Sequence, residues 1–115
     1  MDISEILGMT RGGVWWVDFE PAKGGEIQKV RPAVIISNDT ANSFLNRVVV
    51  LPFTSNVKKT YPGNAVVVLQ GKEAKAMADQ IRTVDKSRLK NKICDLSWQD
   101  MQKIDSIIKI HLALS

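Results

Sequence analysis

The sequence is short of the groups that build a metal centre or a disulfide. Its 115 residues include one Cys and one His. An internal disulfide, a multi-Cys zinc or iron–sulfur site and a multi-His metal site are therefore excluded, as is an acid–base pair of histidines. Long apolar runs are missing too: stretches such as residues 65–69 fall far short of the ~20 residues that span a bilayer. No basic start followed by an apolar core announces a secretory signal, and no internal repeat or low-complexity tract is visible. A cytoplasmic protein without membrane contact is expected.

What is present describes a folded domain. Hydrophobic residues make up 44% and charged residues 24%, a balance unlike that of a disordered tail. Two separate cores would each fall below the ~70–80 residues at which a lone core becomes marginal, so residues 10–115 read as one domain. Residues 1–9 read as an appendage, with one helical turn over 4–7 before Gly8. The net charge of +4 sits in one window, where Arg82, Lys86, Arg88, Lys90 and Lys92 face Asp85 alone; the other 11 cations and 11 carboxylates cancel. Such a window either draws a polyanion or is a solvated turn.

From Gly13 the pattern is that of strands. Val14-Trp15-Trp16-Val17 is β-branched and aromatic, and Asp18 and Pro21 close it. Residues 21–29, with Pro21, Gly24 and Gly25, form a polar loop, and residues 54–64 a second. Further strands are predicted at 33–36, 48–51, 65–69, 76–84 and 93–96, although Glu73-Ala74-Lys75-Ala76 has helix propensity. Asn38 caps a short helix reaching about Leu45. Ser97 is an N-cap with Asp100 three residues on. Beyond it Trp98, Met101, Ile104, Ile108 and His111 recur at spacings of three and four, widened by Ile107 and Leu112, which marks an amphipathic helix. The chain is therefore mainly β (α+β): a small, twisted, barrel-like antiparallel sheet of six to seven short strands with a C-terminal helix.

Several residues could carry chemistry. Arg31 precedes Pro32 at a strand entry, where the proline favours an extended backbone; a planar guanidinium fixed there suits a phosphate. Thr54 and Ser55 end another strand after Pro52-Phe53. Asp79-Gln80 interrupts an apolar strand and needs polar partners, from a network or a site. Trp15 and Trp16 point to opposite faces of one strand. One belongs to the core; the other covers the sheet edge, stacks on a base or fills an interface, with core and interface preferred over stacking. His111 reads as a packing or interface residue, and Cys94 as a small buried hydrophobe.

In order, these stretches resemble a known family. Gly13-Val14-Trp15-Trp16-Val17-Asp18-Phe19-Glu20-Pro21, Lys23-Gly24-Gly25-Glu26 and Arg31-Pro32-Ala33-Val34-Ile35-Ile36-Ser37-Asn38 are similar to the opening of the MazF/PemK/Kid toxins. Leu51-Pro52-Phe53-Thr54-Ser55-Asn56, Tyr61-Pro62, Ala78-Asp79-Gln80-Ile81-Arg82-Thr83-Val84-Asp85 and Ile110-His111-Leu112-Ala113-Leu114 fit as well. The resemblance covers residues 10–115. It implies an SH3-like, CcdB-like barrel and a homodimeric toxin of a type II toxin–antitoxin pair. It also implies sequence-specific cleavage of single-stranded RNA (messenger, with transfer or ribosomal RNA as further targets) without metal or cofactor. The resemblance further implies a cognate antitoxin, a protein whose disordered tail blocks the RNA site. Position by position, Arg31 and Thr54 match the family's catalytic pair, Glu26 the acidic residue of the first loop, and Asp79 and Gln80 polar residues that some members use. The chain departs from the family in reading Gly24-Gly25-Glu26-Ile27 where Gly-Ser-Glu-Gln is common. It has Met77 where some members place a second Arg, which leaves more to Arg31.

Metal-free cleavage by the ribose 2′-OH needs a proton acceptor, a donor to the leaving oxygen and stabilisation of charge on phosphorus. Arg31 can supply the charge, and Thr54 a hydrogen bond. The acceptor stays open among Arg31, Glu26 and Asp79, because a guanidinium does not normally deprotonate. Ser55, Lys58, Lys59, Asp79, Gln80 and Arg82 are the expected substrate contacts, and the two loops read the bases. Two other readings share the fold. One is a CcdB-like gyrase poison, whose group ends in Trp-Gly-Ile, unlike Leu112-Ala113-Leu114-Ser115 here. The other is a non-catalytic nucleic-acid-binding barrel.

Overall fold

The computed structural model describes residues 3–115; Met1 and Asp2, the start of the expected appendage, lie outside the described residues. In chain order these form α1 (Ile3–Leu7), β1 (Gly13–Asp18), β2 (Val30–Ile35), α2 (Asp39–Phe44), β3 (Arg47–Thr54) and β4 (Asn64–Leu69). Then come β5 (Lys72–Met77), β6 (Arg82–Asp85), β7 (Leu89–Asp95) and α3 (Trp98–His111), with single 3-10 turns at Ala78–Gln80 and Lys86–Arg88. The strands run antiparallel in the order β4-β5-β3-β2-β1-β7, with β6 also on β3.

β3 changes partner along its length. Its first half pairs with β6, Val50, Leu51 and Pro52 with β2, and Phe53 and Thr54 with β5. One strand shared this way curls the sheet into a half-barrel. Pro52 stands at the change of partner, fully buried, and has no N–H to give either ladder.

Alternation along the strands divides the apolar side chains between two faces. Val14, Val34, Leu51, Phe53 and Ala76 pack with Met101, Ile104 and Ile107 of α3. Trp15, Val17, Ala33, Ile35 and Val50 form a second cluster with Met9 and Phe19. Met9 therefore packs with the sheet, and the carbonyl of Gly8 accepts from Trp15 Nε1 at 3.2 Å. Arg11 fastens α3 across the fold: its guanidinium pairs with Asp105 and its Nε donates to Ile36 O at 3.1 Å.

The helix at the end starts as expected, Ser97 Oγ accepting from Asp100 N at 3.1 Å. Its buried stripe begins only at Met101, however; Trp98 is 72% exposed and His111 is exposed. The larger difference lies at 72–85, where one strand over 76–84 was predicted. Gln70 and Gly71 both take positive φ, 48° and 84°, making a two-residue hairpin turn between Leu69 and Lys72. That turn commits residues 72–77 to β5 despite their helix propensity. The chain then turns at Ala78–Gln80 and resumes as β6. No helix among the described residues is long and apolar enough to cross a membrane.

Candidate active site

Two strand ends build the site. β2 and β3 pair at Ala33–Pro52, Val34–Leu51 and Ile35–Val50, and Pro32 removes the next donor. Continuing that register by two residues brings Arg31 opposite Thr54. Past the last ladder pair a cavity of about 510 Å³ opens, lined by Trp16, Arg31, Pro32, Phe53, Thr54 and Ser55, together with Lys72 and Glu73 of β5.

Each polar group on this lip is oriented by its own neighbours. Arg31 Nε donates to Gln28 O at 3.0 Å, and among the described residues its terminal nitrogens have no protein partner. They form a planar fork suited to two oxygens of one phosphate. Thr54 Oγ1 accepts from Asn56 N at 3.3 Å, which leaves its O–H free to donate. The tryptophan pair divides as strand geometry demands: Trp15 is 6% exposed in the core, whereas Trp16 is 42% exposed and lines the cavity.

The remaining sequence candidates stand elsewhere. Glu26 is exposed in the β1–β2 loop, where Oε1 accepts from Lys23 N at 2.6 Å, and it does not line the cavity. Lys58 and Lys59 lie on the exposed β3–β4 loop, Lys59 O accepting from Lys75 Nζ at 2.6 Å. Asp79 lines a second cavity of about 350 Å³ with Tyr61, Lys75 and His111. Gln80 Oε1 accepts from Ile27 N at 3.0 Å and Nε2 donates to Gly25 O at 3.1 Å. Arg82 donates to Phe19 O at 3.2 Å and lies 5.8 Å from that ring's centre, a cation–π distance. The structure thus gathers Arg31, Thr54 and Ser55 and leaves the other six apart.

The cationic window is engaged within the fold as well. Besides Arg82, Lys86 donates to Asn42 O, Arg88 to Asp18 O and Glu20 O, and Lys90 to Ser87 O, while Lys92 pairs with Asp95. Two titrations are displaced from their ordinary values. Hydrogen bonds from Ser87 hold the Asp85 carboxyl down. Burial, helped by the Asp95 charge, pushes the half-buried Cys94 thiol up. Among the described residues no group of three or more His, Cys, Asp or Glu could hold a metal ion. Sequence reasoning missed Lys72 and Glu73, whose place depends on the Gln70-Gly71 turn, a signal readable as a two-residue hairpin ending in glycine.

A curled antiparallel half-barrel with a terminal helix, its open strand ends offering a guanidinium and two hydroxyls at one cavity, defines a class of small barrel proteins. Within that class the chain belongs to the PemK-like, MazF-like toxins of type II toxin–antitoxin systems, the family pattern matching residues 10–112. It is 37% identical over 115 residues to endoribonuclease MazF9 of Mycobacterium tuberculosis, covering 92% of this chain and 98% of that one. It is 36% identical over 111 residues to endoribonuclease MazF of Staphylococcus saprophyticus, covering 92% of each. The crystal structure of MazF from Deinococcus radiodurans has the same fold, with TM-score 0.80 at 24% identity over 90% of this chain and 96% of that one. So does a mycobacterial endoribonuclease in complex with its cognate antitoxin, with TM-score 0.78 at 23% identity over 92% and 96%. The mainly β fold with a C-terminal helix, expected from the sequence, is the fold of this family.

Proposed function

We propose that this chain cuts single-stranded RNA in the cavity lipped by Arg31 and Thr54, as the toxin of a toxin–antitoxin pair. One observation carries the reading: two side chains from different strands meet at one open cavity, each with donors unspent on the protein. The endoribonuclease names of two relatives above one-third identity support it.

The chemistry follows from the groups available. The ribose 2′ oxygen bonds to the adjacent phosphorus, the bond from phosphorus to the 5′ oxygen breaks, and the products are a 2′,3′-cyclic phosphate and a 5′-OH. Negative charge grows on the non-bridging oxygens, where the Arg31 fork and the Thr54 hydroxyl stabilise it. Arg31 also donates a hydrogen bond to the departing 5′ oxygen, which takes its proton from solvent water. The 2′-OH proton goes to a carboxylate. Glu73 takes that role here, since it lines the cavity while Glu26 is engaged within its loop. Trp16 gives an apolar ring on which a neighbouring base stacks, and Ser55, Lys58 and Lys59 hold the strand leaving the site. Dependence on the 2′-OH restricts cleavage to RNA. No step uses a metal, and the active unit is a homodimer of residues 10–115 that a cognate antitoxin occludes; a mycobacterial endoribonuclease of the same fold in complex with its cognate antitoxin supports the antitoxin partner.

Incubating single-stranded RNA with the protein in EDTA and analysing the ends tests this directly. Fragments carrying cyclic phosphate and 5′-OH are expected. Intact RNA with a mobility shift would make the chain a binder only, and inhibition of gyrase without RNA cleavage would move it to the CcdB-like reading.

A further inference from the structure

Gln80 is the most economically used polar side chain outside the cavity. It sits in the 3-10 turn between β5 and β6, half-buried. Its amide spans 53 and 55 residues of sequence to reach the β1–β2 loop. The oxygen takes the N–H of Ile27 and the nitrogen meets the C=O of Gly25, at 3.0 and 3.1 Å. A primary amide is the side-chain group that presents one acceptor and one donor side by side, so this contact copies one rung of a β ladder. It reads the loop backbone and ignores the loop's side chains.

The residue after Ile27 is Gln28, and its carbonyl accepts from Arg31 Nε at 3.0 Å. A continuous path therefore runs from the Gln80 amide through the pinned backbone of 25–27 to the guanidinium. The other ties of the loop's outer part are internal to it: Glu26 N to Lys23 O at 3.0 Å, and Lys23 N to Glu26 Oε1 at 2.6 Å. Those ties hold the turn's shape; at the loop's base Lys29 N donates to Glu20 Oε1 at 2.7 Å and Phe19 N to Lys29 O at 2.9 Å, so Gln80 supplies the hydrogen-bonded tie of the outer part to the β5–β6 turn. Ile27 adds an apolar contact with the second core. A guanidinium tethered at Nε has its plane set, so its terminal nitrogens keep one approach direction.

We propose that Gln80 is a positioning residue: its amide clamps the β1–β2 loop to the β5–β6 turn, and through Gln28 O it fixes the guanidinium of Arg31 for phosphate. The proposal rests on Arg31 acting on the RNA phosphodiester. Each polar atom of Gln80 makes one bond to the loop, which supports a positioning role in place of the substrate contact expected from the sequence.

The test compares the full chain with Gln80→Ala and Gln80→Glu. Glu keeps an acceptor for Ile27 N and loses the donor to Gly25 O, whereas Ala loses both. On a short single-stranded RNA, Gln80→Ala is expected to lower kcat about tenfold with KM within about twofold, because misplacing a catalytic group costs rate more than affinity. Gln80→Glu should fall between. In the absence of RNA, the Arg31 Nε–H resonance should be sharp in the unaltered chain. In Gln80→Ala it should move and exchange with water about tenfold faster, as expected when a local tie opens. A raised KM with unchanged kcat would show that Gln80 touches RNA and would overturn the proposal. An Arg31 Nε–H signal identical in both chains would overturn it as well. If the unaltered chain cuts no RNA, the functional reading fails, and the Arg31 signal alone still decides whether Gln80 positions that group.

Discussion

In the proposed mechanism Arg31 concentrates the chemistry, because its surroundings restrict it. The strand holds its backbone, Gln28 O holds Nε, and among the described residues its terminal nitrogens keep no protein partner beside the cavity. Glu73 and Trp16 line the same cavity, and the proposed mechanism gives them the roles of proton acceptor and base platform. Glu73→Gln is expected to lower the cleavage rate about a hundredfold, within the range of a general base, while Glu26→Gln changes it less than threefold. The reverse order in single-turnover assays would move the proton acceptor to the loop. Trp16→Ala is expected to weaken RNA binding about tenfold, the order of one lost base stack, with the melting temperature little changed; unaltered affinity would leave Trp16 without a role. At this scale Arg31 and Thr54 stood out as strand-end groups that only the family resemblance paired, and the structure places both on one cavity. The choice between Trp15 and Trp16 was not legible in the sequence. Alternation says that they face apart, but which face is covered depends on strands far away in sequence. Glu73 was illegible for a related reason: a charged residue in a helix-prone run gives no sign that a turn at Gln70-Gly71 will fold it back to the cavity.

Elements carry the site by ending where they do. β2 and β3 stop pairing at Ala33 and Pro52, and the gap beyond that rung is the cavity. β3 can serve three partners because its register hands over at a residue with no donor. The strands read from β-branched runs, such as β1 and β4, appear where expected, since alternation sends Val14, Val67 and Leu69 into the core while Trp16 and Val68 stay exposed. The segment 72–85 was misjudged because local propensity and hydrophobicity do not encode a break, whereas the 3-10 turn at Ala78–Gln80 exists to satisfy Gln80 and the backbone of residue 78, whose N–H donates to Gly63 O at 3.0 Å. α3 closes the larger core through Met101, Ile104 and Ile107. Ile104 is completely buried. Ile104→Ala should destabilise the fold by about 3 kcal/mol, the usual cost of such a cavity, without altering cleavage at temperatures where the protein stays folded. A loss below about 1 kcal/mol in denaturant unfolding would mean that α3 is not integral to the core.

At the scale of the whole molecule, the cations of the 82–92 window are tied into the fold. The excess cations at 82–92 look like a polyanion grip, yet they bond to carbonyls and a carboxylate of the chain itself. The lip of the cavity instead gathers cations from separate elements, Lys29, Arg31 and Lys72, a concentration visible only after folding. The half-barrel leaves strand ends open on one side, and a second copy of the chain completes the proposed active unit. Light scattering at micromolar concentration should therefore give twice the chain mass, and a mass of one chain would remove the dimer from the mechanism. The most direct measurement is single-turnover cleavage of a single-stranded RNA in EDTA by the unaltered chain, Thr54→Ala and Arg31→Ala, each first shown to melt at the same temperature. Arg31→Ala is expected to lose about a thousandfold in rate, as when a donor to developing charge is removed. Thr54→Ala should lose about tenfold, as for one neutral hydrogen bond. An Arg31→Ala protein that cuts at the unaltered rate would contradict the site.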